Sequence, residues 1–356
     1  MHRIQATICL SEFRDNMSRI RSHIGPKVKL LIVIKANAYG FGDVAISQAA
    51  VEAGADYLGL ATLNEAIQLR QSGIDIPLLL FSEVFESHIP DLFTYQITPS
   101  VYSPSFLEQL SAYGKKIKQS LPIHIKVDTG MSRIGCDYDQ ALSFIQQALR
   151  MDYVTVEGVY THFSHADRIH SDTHLSQWAQ FKTLLSDLKD QSLSIPLCHT
   201  ANSYATFLHP ETHLDMVRIG LKSYENILTL TSCVSRIKQI KKNQGVSYGS
   251  DFISAQDTTI ATIYAGYGDG IPRQLSNKGF VLIKGQRYPI VGRICMDWLM
   301  VDIGRNLDTI VVGDRVVLIG TSESEHISIE DISQLTGLNP REISCQLSSR
   351  VNRVYI

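Results

Sequence analysis

The stretch LLIVIKANAYGFGD, residues 30–43, runs from five apolar residues directly into Lys35 and then into a short polar turn that carries Tyr39. A continuous apolar run is typical of a strand that is covered on both faces, as in a parallel sheet flanked by helices. An ammonium group at the end of such a strand either reaches out to water or has a chemical role. The stretch therefore predicts a buried parallel strand and makes Lys35 a candidate functional residue.

The same order of short apolar strand, polar turn and amphipathic helix repeats from about residue 28 to about residue 222. KLLIVIK precedes DVAISQAAVEAG, DYLGLAT precedes NEAIQLRQSG, and IHIKVD, VTVEGVY and MVRIGLK follow. About eight such units favour a closed (β/α)8 barrel over an open doubly wound sheet. We therefore predict an α/β protein whose residues 1–225 form an N-terminal (β/α)8 TIM-type barrel.

The pattern changes after about residue 225. TSCVSRIKQI, TTIATIYAG, GFVLIKGQRYPIVG, LMVDIG and DTIVVGDRVVLIG have the composition of strands, and short turns rich in Gly, Asn or Asp join them. Only ISIEDISQLTG has a helical pattern. Residues 226–356 are therefore predicted to form a smaller, mainly β C-terminal domain.

The charges of the chain are balanced, with 33 Lys and Arg against 35 Asp and Glu and a net charge of −2. This balance gives no electrostatic reason to expect a nucleic-acid or membrane partner. The N-terminal residues have no long apolar core, and no stretch approaches the length that spans a bilayer, so we expect a cytoplasmic protein. The six cysteines have no CxxC spacing, which argues against a zinc site or a disulfide framework.

Lys35 is predicted to lie at the C-terminal end of a barrel strand, which is the face where this fold assembles its active sites. A lysine in partly apolar surroundings carries more neutral amine, the form that makes a Schiff base with a carbonyl cofactor. The alternative is a structural lysine that reaches from the strand end to water. Position alone leaves both possibilities open.

The segment VIKANAYGFG closely resembles the pyridoxal-phosphate signature of the alanine racemase family, whose members are pyridoxal-phosphate enzymes of fold type III. In that family the lysine carries the cofactor and the tyrosine four residues later reaches its phosphate, which implies these roles for Lys35 and Tyr39. Other motifs of the family follow in order across nearly the whole chain.

Three motifs in the predicted barrel carry the resemblance to the cofactor site. IKVDTGMSRIG (125–135) resembles the segment whose arginine, here Arg133, contacts the cofactor's phenolic oxygen and the substrate. The family's lysine in this segment, here Lys126, supports that arginine with or without carbamylation. GVYTHFSHAD (158–167) places His162 where the family stacks an imidazole near the cofactor ring.

Two further barrel motifs resemble the phosphate and ring-nitrogen sites. CHTANS (198–203) supplies His199 as a supporting residue and Ser203 as a phosphate ligand. MVRIG (216–220) places Arg218 where the family's arginine meets the pyridine nitrogen, and the amides of Gly220 and Leu221 are available to the phosphate. An arginine facing that nitrogen favours a racemase over the related decarboxylases, which use a carboxylate there.

The predicted C-terminal domain also resembles the family. VSYGSDF (246–252) resembles the segment that bears the second catalytic base, here Tyr248, and AGYGDG (265–270) contributes Tyr267 to the substrate site. GRICMDW (292–298) resembles the segment around the substrate carboxylate, with Met296 and Asp297. One departure is Ser349, which stands where some members place a tyrosine that touches phosphate and narrows the substrate entrance. A serine can still bind the cofactor's phosphate through a hydrogen bond, but it fills much less space.

The resemblance implies an isomerase that interconverts L- and D-alanine by a two-base mechanism, with Lys35 on one face of the substrate and Tyr248 on the other. It also implies a head-to-tail homodimer with composite active sites and a supply of D-alanine for cell-wall peptidoglycan. A serine, lysine or broad-specificity racemase of the same fold is the alternative. A non-catalytic pyridoxal-phosphate carrier and a metal-dependent barrel hydrolase are more distant possibilities.

The segment THFSHADRIHSDTH (161–174) contains His162, His165, His170 and His174 at spacings that invite a metal interpretation. No cysteine or carboxylate pattern nearby completes a site, so we predict no metal. We expect the last three of these histidines to be loop or surface residues.

Overall fold

The computed structural model describes residues 3–168, 171–306 and 309–356, which divide into two compact units. The barrel unit comprises residues 13–38 and 43–225, and the β-rich unit comprises residues 3–12, 39–42 and 226–356. Within the described ranges no helix is both long and apolar enough to cross a bilayer. All six cysteines are free thiols.

The first elements are strand β1 (Ile4–Ile8) and helix α1 (Leu10–Ile24). The barrel strands are β2 (Lys29–Val33), β3 (Tyr57–Leu60), β4 (Leu78–Leu80), β5 (Thr98–Val101), β6 (Leu121–Asp128), β7 (Cys136–Asp137), β8 (Val154–Tyr160), β9 (Leu197–His199) and β10 (Met216–Ile219). The helices between them are α2 (Asp43–Glu52), α3 (Leu63–Gln71), α4 (Ile89–Thr94), α5 (Pro104–Ile117), α6 (Tyr138–Leu149), α7 (Asp172–Asp190) and α8 (Ser203–Leu208).

Eight parallel strands form the barrel in the order β10-β2-β3-β4-β5-β6-β8-β9, with β7 paired beside β6. Backbone hydrogen bonds next to β9 and β10 join the two ends of this order, from Asp215 to Cys198 (3.0 Å) and from Arg218 to Ala201 (3.0 Å). The strands β3, β4 and β5 are buried at every position, as expected where helices cover one face and the barrel core the other. The predicted fold class is confirmed.

The β-rich unit contains β1 together with β11 (Leu228–Ile240), β12 (Gly245–Val246), β13 (Phe252–Ile253), β14 (Thr258–Ile263), β15 (Phe280–Ile283), β16 (Gln286–Pro289), β17 (Leu299–Gly304), β18 (Arg315–Ser322), β19 (Glu325–Ile327) and β20 (Asn352–Tyr355). Its helices are α9 (Ile329–Thr336) and α10 (Pro340–Cys345). The main sheet has the order β16-β15-β18-β11-β1-β20, and β14 links β11 to β17. Every pair is antiparallel except β1 and β20.

The position of β1 differs from the sequence prediction, which placed residues 1–225 in one domain. Strand β1 pairs with β11 on one side and with β20 on the other, so residues 3–12 belong to the β-rich unit. Both partners lie more than 200 residues away in sequence. Local patterns carry no information about such pairing.

The predicted strand DTIVVGDRVVLIG is shorter in the structure, where β18 begins at Arg315. The preceding residues form a turn, because the Asp314 carboxylate accepts a hydrogen bond from the Val311 amide at 2.8 Å. The side chains of Val311 and Val312 are accordingly exposed. Asp308 lies outside the described residues.

Gly40 lies in a tightly packed part of the β-rich unit. Its φ of +89° is in the left-handed region, and an added Cβ would lie 2.1 Å from the Ser344 carbonyl oxygen. Arg353 donates a 2.8 Å hydrogen bond from Nε to the Gly40 carbonyl oxygen. Glycine is therefore required here both by backbone conformation and by space.

Gly40→Ala is expected to lower the free energy of unfolding more than Gly337→Ala, its matched control. Gly337 has a φ of +75° with nothing within 4 Å of its Cβ position, so its substitution adds only left-handed strain of about 1–2 kcal/mol. The clash at Gly40 should add a further 1 kcal/mol or more, roughly the cost of overpacking. Urea unfolding monitored by circular dichroism measures both, and equal midpoint shifts would contradict this account.

Candidate active site

The predicted site residues of the barrel unit cluster where its parallel strands end. Lys35 follows β2, Arg133 lies in the loop after β6, and His162 follows β8. His199 is the last residue of β9, and Arg218 is in β10. Since the carboxyl ends of parallel barrel strands share one face, the barrel brings these residues to the same end.

The residues after Lys35 form an unusual left-handed turn. Ala36, Asn37, Ala38 and Tyr39 have φ between 50° and 55°, although each such residue costs about 1–2 kcal/mol outside glycine. The turn is held by hydrogen bonds from the Ala36 amide to Glu65 Oε1 (2.7 Å) and from the Asp43 amide to Asn37 Oδ1 (2.9 Å). The sequence predicted a polar turn here but not its hand, because alanines do not signal this conformation.

Arg218 is buried and makes several hydrogen bonds. Its Nη1 donates to His199 Nδ1 at 2.8 Å, and its Nη2 donates to the carbonyl oxygens of Thr161 (2.8 Å) and Thr200 (3.0 Å). The guanidinium also lies over the Tyr160 ring at 5.1 Å. Burial lowers the pKa of Arg218 to about 10, so the side chain remains a cation at neutral pH.

A chain of polar side chains, all buried except the partly exposed Glu157, continues from Arg218 into the barrel. His199 Nε2 lies 2.8 Å from His124 Nδ1, and His124 Nε2 lies 3.2 Å from a carboxylate oxygen of Glu157. The other oxygen of Glu157 accepts a 3.0 Å hydrogen bond from the Tyr57 hydroxyl. We call these four residues together with Arg218 the barrel chain.

The direction of the hydrogen bonds in the barrel chain follows from Arg218, which can only donate. His199 Nδ1 must therefore accept, so its proton is on Nε2 and is donated to His124 Nδ1. His124 in turn carries its proton on Nε2 and donates it to Glu157. Burial is the main cause of the lowered pKa of both imidazoles, and the hydrogen bond from His124 lowers the pKa of Glu157. Two neutral histidines therefore connect Arg218 to an ionised carboxylate.

Sequence reasoning missed His124, Glu157 and Tyr57. One signal was present, because His124 is two residues before Lys126 in IHIKVD and a strand of period two puts both on one face. A second signal was the single carboxylate in the otherwise apolar run VTVEGVY. The contact between these strands was not visible, since it depends on barrel register.

His162 joins the same network weakly. Its Nδ1 lies 3.5 Å from Arg218 Nη2, and Gln177 donates a 3.3 Å hydrogen bond to its carbonyl oxygen. Burial lowers the pKa of His162 well below its ordinary value, and the nearby positive charges of Arg218 and Arg133 lower it further. Arg218 therefore contacts both His199 and His162.

Lys126 is buried inside a group of cations. Burial lowers the pKa of its ammonium from 10.5 to about 7, and Arg133, Arg218 and Lys35 add repulsion. The amine lies 5.8 Å from the centre of the Tyr160 ring. Because several cations converge on one end of the barrel, the site favours an anionic ligand.

The segments of Ser203 and Arg218 meet in a small donor cradle. The amides of Gly220 and Leu221 donate to Ser203 Oγ at 2.9 and 3.0 Å. Asn202 caps α8, with its Oδ1 accepting from the amides of Tyr204 (3.1 Å) and Ala205 (3.0 Å). Two backbone N–H groups that converge on one hydroxyl match the donor set that phosphate groups bind.

In the β-rich unit the structure brings Tyr267 and Met296 together. The Tyr267 amide donates to the Cys295 carbonyl oxygen (3.0 Å), and the Gly268 amide donates to that of Met296 (2.9 Å). Asp297, next in sequence, accepts a 2.6 Å hydrogen bond from Arg350, which lowers the pKa of its carboxyl.

Tyr248 lies in a 3-10 turn of the same unit, and 69% of its surface is exposed. Ser247, its neighbour, donates a 2.6 Å hydrogen bond to the Arg293 carbonyl oxygen, which ties the turn to the segment of Met296. Ser349 is also exposed.

The lowered pKa of Lys126 predicts how the free energy of unfolding depends on pH. Because its pKa is about 7 in the folded protein and 10.5 as an ordinary lysine, the unfolded chain binds more protons between these values. Stability should therefore rise with pH in this window, by up to about 1.4 kcal/mol per pH unit, relative to Lys126→Met. Chemical unfolding of both proteins from pH 7.5 to 9.5 measures this, and a constant difference would exclude a free amine at this position.

Two family models together match nearly all of the chain. The model described as "Alanine racemase, N-terminal domain" matches residues 8–225, and "Alanine racemase, C-terminal domain" matches residues 227–355. The alanine racemase of Methanococcus maripaludis is 38% identical over 371 residues, covering 100% of this chain and 99% of its own length.

Solved structures agree with these matches. The alanine racemase of Clostridium difficile 630 is 33% identical with a TM-score of 0.93, covering 99% of this chain and 95% of its own. The alanine racemase of Bartonella henselae with covalently bound pyridoxal phosphate is 28% identical with a TM-score of 0.89, covering 100% of both chains. On these grounds the chain belongs to the alanine racemase family.

Proposed function

We propose that this protein is a pyridoxal-phosphate-dependent isomerase that interconverts L- and D-alanine. The observation that carries the proposal is the buried Arg218, whose cation is fixed by His199 and two carbonyl oxygens beside the strand-end cluster that includes Lys35. Family membership and the names of the relatives support the same reaction.

The residues present fit pyridoxal phosphate. Ser203 and the amides of Gly220 and Leu221 form a donor cradle suited to the phosphate, and Lys35 is the amine for covalent attachment. Burial raises the pKa of Tyr39 to about 12, so its hydroxyl remains protonated and can donate to an anion. When bound, the cofactor supplies an electron sink that makes the substrate's Cα–H acidic.

We assign Arg218 and Arg133 to the ring of such a cofactor. Arg218 can only donate, so a ring nitrogen held against it would have to accept and would carry no proton. A ring nitrogen in this state withdraws fewer electrons, which disfavours decarboxylation and transamination relative to simple proton transfer. We assign Arg133 to the phenolic oxygen and to the substrate carboxylate, with Lys126 supporting it and His162 beside the ring.

Lys35 and Tyr248 are the two bases that we propose for racemisation. Inversion at Cα needs removal of a proton on one face and return of a proton on the other. We assign Lys35 Nζ to one face and the Tyr248 hydroxyl to the other. Met296, Asp297 and Tyr267 are assigned to the substrate entrance and carboxylate.

We propose that the two bases come from different copies of the chain in a head-to-tail homodimer. The exposed large side chains Tyr248, Tyr267, Met296 and Trp298 belong to three segments of the β-rich unit, which hydrogen bonds to Cys295 join. A group of exposed apolar side chains of this size is typical of an interaction surface.

In the cell we propose a cytoplasmic enzyme that supplies D-alanine for peptidoglycan.

Substitution of each base should have a different effect on proton exchange. Lys35→Ala should abolish racemisation and the borohydride-trapped attachment of the cofactor. Tyr248→Phe should keep the attachment and still exchange the α-proton of one enantiomer in heavy water, while its rate of inversion falls about 10²–10⁴-fold. Exchange is measured by NMR and inversion by polarimetry; inversion at the wild-type rate in either variant would refute the assignment.

Mixing the two inactive variants tests the composite site. A mixed dimer of Lys35→Ala and Tyr248→Phe contains one site with both bases intact if the bases come from different copies, so activity should return after subunit exchange. If both bases came from the same copy, every site in the mixture would lack one base. The separate variants, exchanged with themselves, provide the control.

The small side chain of Ser349 leads to a prediction about substrate specificity. A serine fills much less space than the tyrosine of some relatives, so L-serine should be a measurable secondary substrate. Ser349→Tyr is expected to raise the ratio of kcat/KM for L-alanine to that for L-serine, by about 10-fold or more if the entrance narrows by a few atoms. An unchanged ratio would disprove this explanation, and Ser348→Tyr serves as a neighbouring control.

A further inference from the structure

Two histidines and a carboxylate that the proposed reaction does not use lie together in the barrel unit. His174 is in the first turn of α7, His209 directly follows α8, and Glu211 is in the 3-10 turn after it. One ligand atom of each residue lies within 4.8 Å of those of the other two. His209 Nδ1 and Glu211 Oε1 are 3.7 Å apart. The centres of the His174 and His209 rings are 3.8 Å apart, with an angle of 31° between the ring planes.

His174 is buried without the partners that an imidazole needs. It has no exposed surface, contrary to the expectation of a loop or surface residue, and Phe163 packs against its ring at 4.4 Å. Neither of its nitrogens has a hydrogen-bond partner within the described part of the chain. Each such buried atom costs about 1–3 kcal/mol unless something binds it.

The electrostatic surroundings suit a cation. Burial lowers the pKa of His174, and His209 lowers it further, while Glu211 acts in the opposite direction. Neutral imidazole is the form that coordinates metals. The Glu211 side chain is about half exposed, so its carboxyl group is reachable from solvent beside the two imidazoles.

We propose that His174, His209 and Glu211 bind a divalent transition-metal ion, with Zn²⁺ as the best match. Two imidazoles and one carboxylate, with a fourth position open to water, form a common zinc ligand set. Zinc bonds of about 2.0–2.2 Å require ligand atoms roughly 3.3–3.5 Å apart in a tetrahedron. The separation of 3.7 Å between His209 Nδ1 and Glu211 Oε1 is close to this value, and the other ligand atoms, which lie within 4.8 Å of one another, would reach it through small rotations of the two imidazoles and of Glu211.

The sequence prediction of no metal considered only carboxylates near the histidine-rich segment. The structure supplies Glu211 and His209 from the next strand–helix unit, which local spacing does not show. His170 lies outside the described residues. The site therefore shares only His174 with the pattern seen in the sequence.

A metal here would stabilise two segments that carry active-site residues. Gln177, one turn after His174 in α7, donates to the His162 carbonyl oxygen (3.3 Å) and accepts from the Ser164 amide (3.0 Å). His209 ends the helix that begins at Ser203. The ion would link these segments as a structural cross-link, without contact to the reacting atoms.

Metal titration of tag-free, chelator-treated protein tests the proposal. Isothermal titration with Zn²⁺ should show one site per chain, and Co²⁺ should develop the visible absorption of a tetrahedral complex. His174→Gln and His209→Gln should each weaken binding about 100-fold or more, because they remove a direct ligand. His213→Gln is the matched control, since His213 is two residues from Glu211 but contacts the Thr206 carbonyl oxygen at 2.7 Å.

Glu211→Gln is a second test for the case that His174→Gln or His209→Gln misfolds, because the half-exposed Glu211 side chain can be replaced without disturbing packing. It should lower Zn²⁺ affinity and the rise in melting temperature that Zn²⁺ produces in the wild type. Absence of saturable binding, or binding unaffected by Glu211→Gln and both histidine variants, would overturn the proposal. All measurements are made without pyridoxal phosphate, so the result is independent of the proposed racemase activity.

Discussion

The positive charge of Arg218 inside the barrel is the constraint on which the site depends. A buried guanidinium is stable only when most of its donors are satisfied, and three of its five N–H groups donate to two carbonyl oxygens and His199. Because arginine never accepts, each hydrogen bond beyond it runs in one direction until it reaches the carboxylate of Glu157. The hydrogen bonds therefore lead from a buried cation at the active-site end to a partly exposed carboxylate.

This arrangement follows from parallel strands of period two. His124 and Lys126 share one face of β6, and Glu157 comes beside His124 where the pairing of β6 with β8 shifts by one residue. Tyr160 stacks on His199 with an angle of 6° between the rings and receives Arg218 over its face. The Tyr160 ring and the barrel chain therefore hold the guanidinium from two sides. This limits the positions that the guanidinium can take toward a ligand.

The sequence was sufficient for the barrel strands, the position of Lys35 and the order of the motifs, because these depend on local apolar runs and on short segments. Three features could not be predicted from the sequence, because each depends on contacts between segments that are far apart along the chain. They are the pairing of β1 with β20, the junction of His124 with Glu157, and the contact of His174 with His209. The left-handed turn at residues 36–39 was missed for another reason, as its strain is imposed by neighbours such as Glu65 and not by its own residues.

Strand β1 also constrains how the protein forms during synthesis. Residues 5–8 pair with residues 352–355, so β1 is synthesised long before β20 and its sheet is complete only after that distant segment has left the ribosome. The barrel strands emerge between these two and have all their partners among themselves. A nascent chain can therefore close the barrel while β1 still has an unpaired edge, and such an edge is open to wrong partners. The β-rich unit is accordingly the part of this protein for which translation speed and chaperone protection matter most.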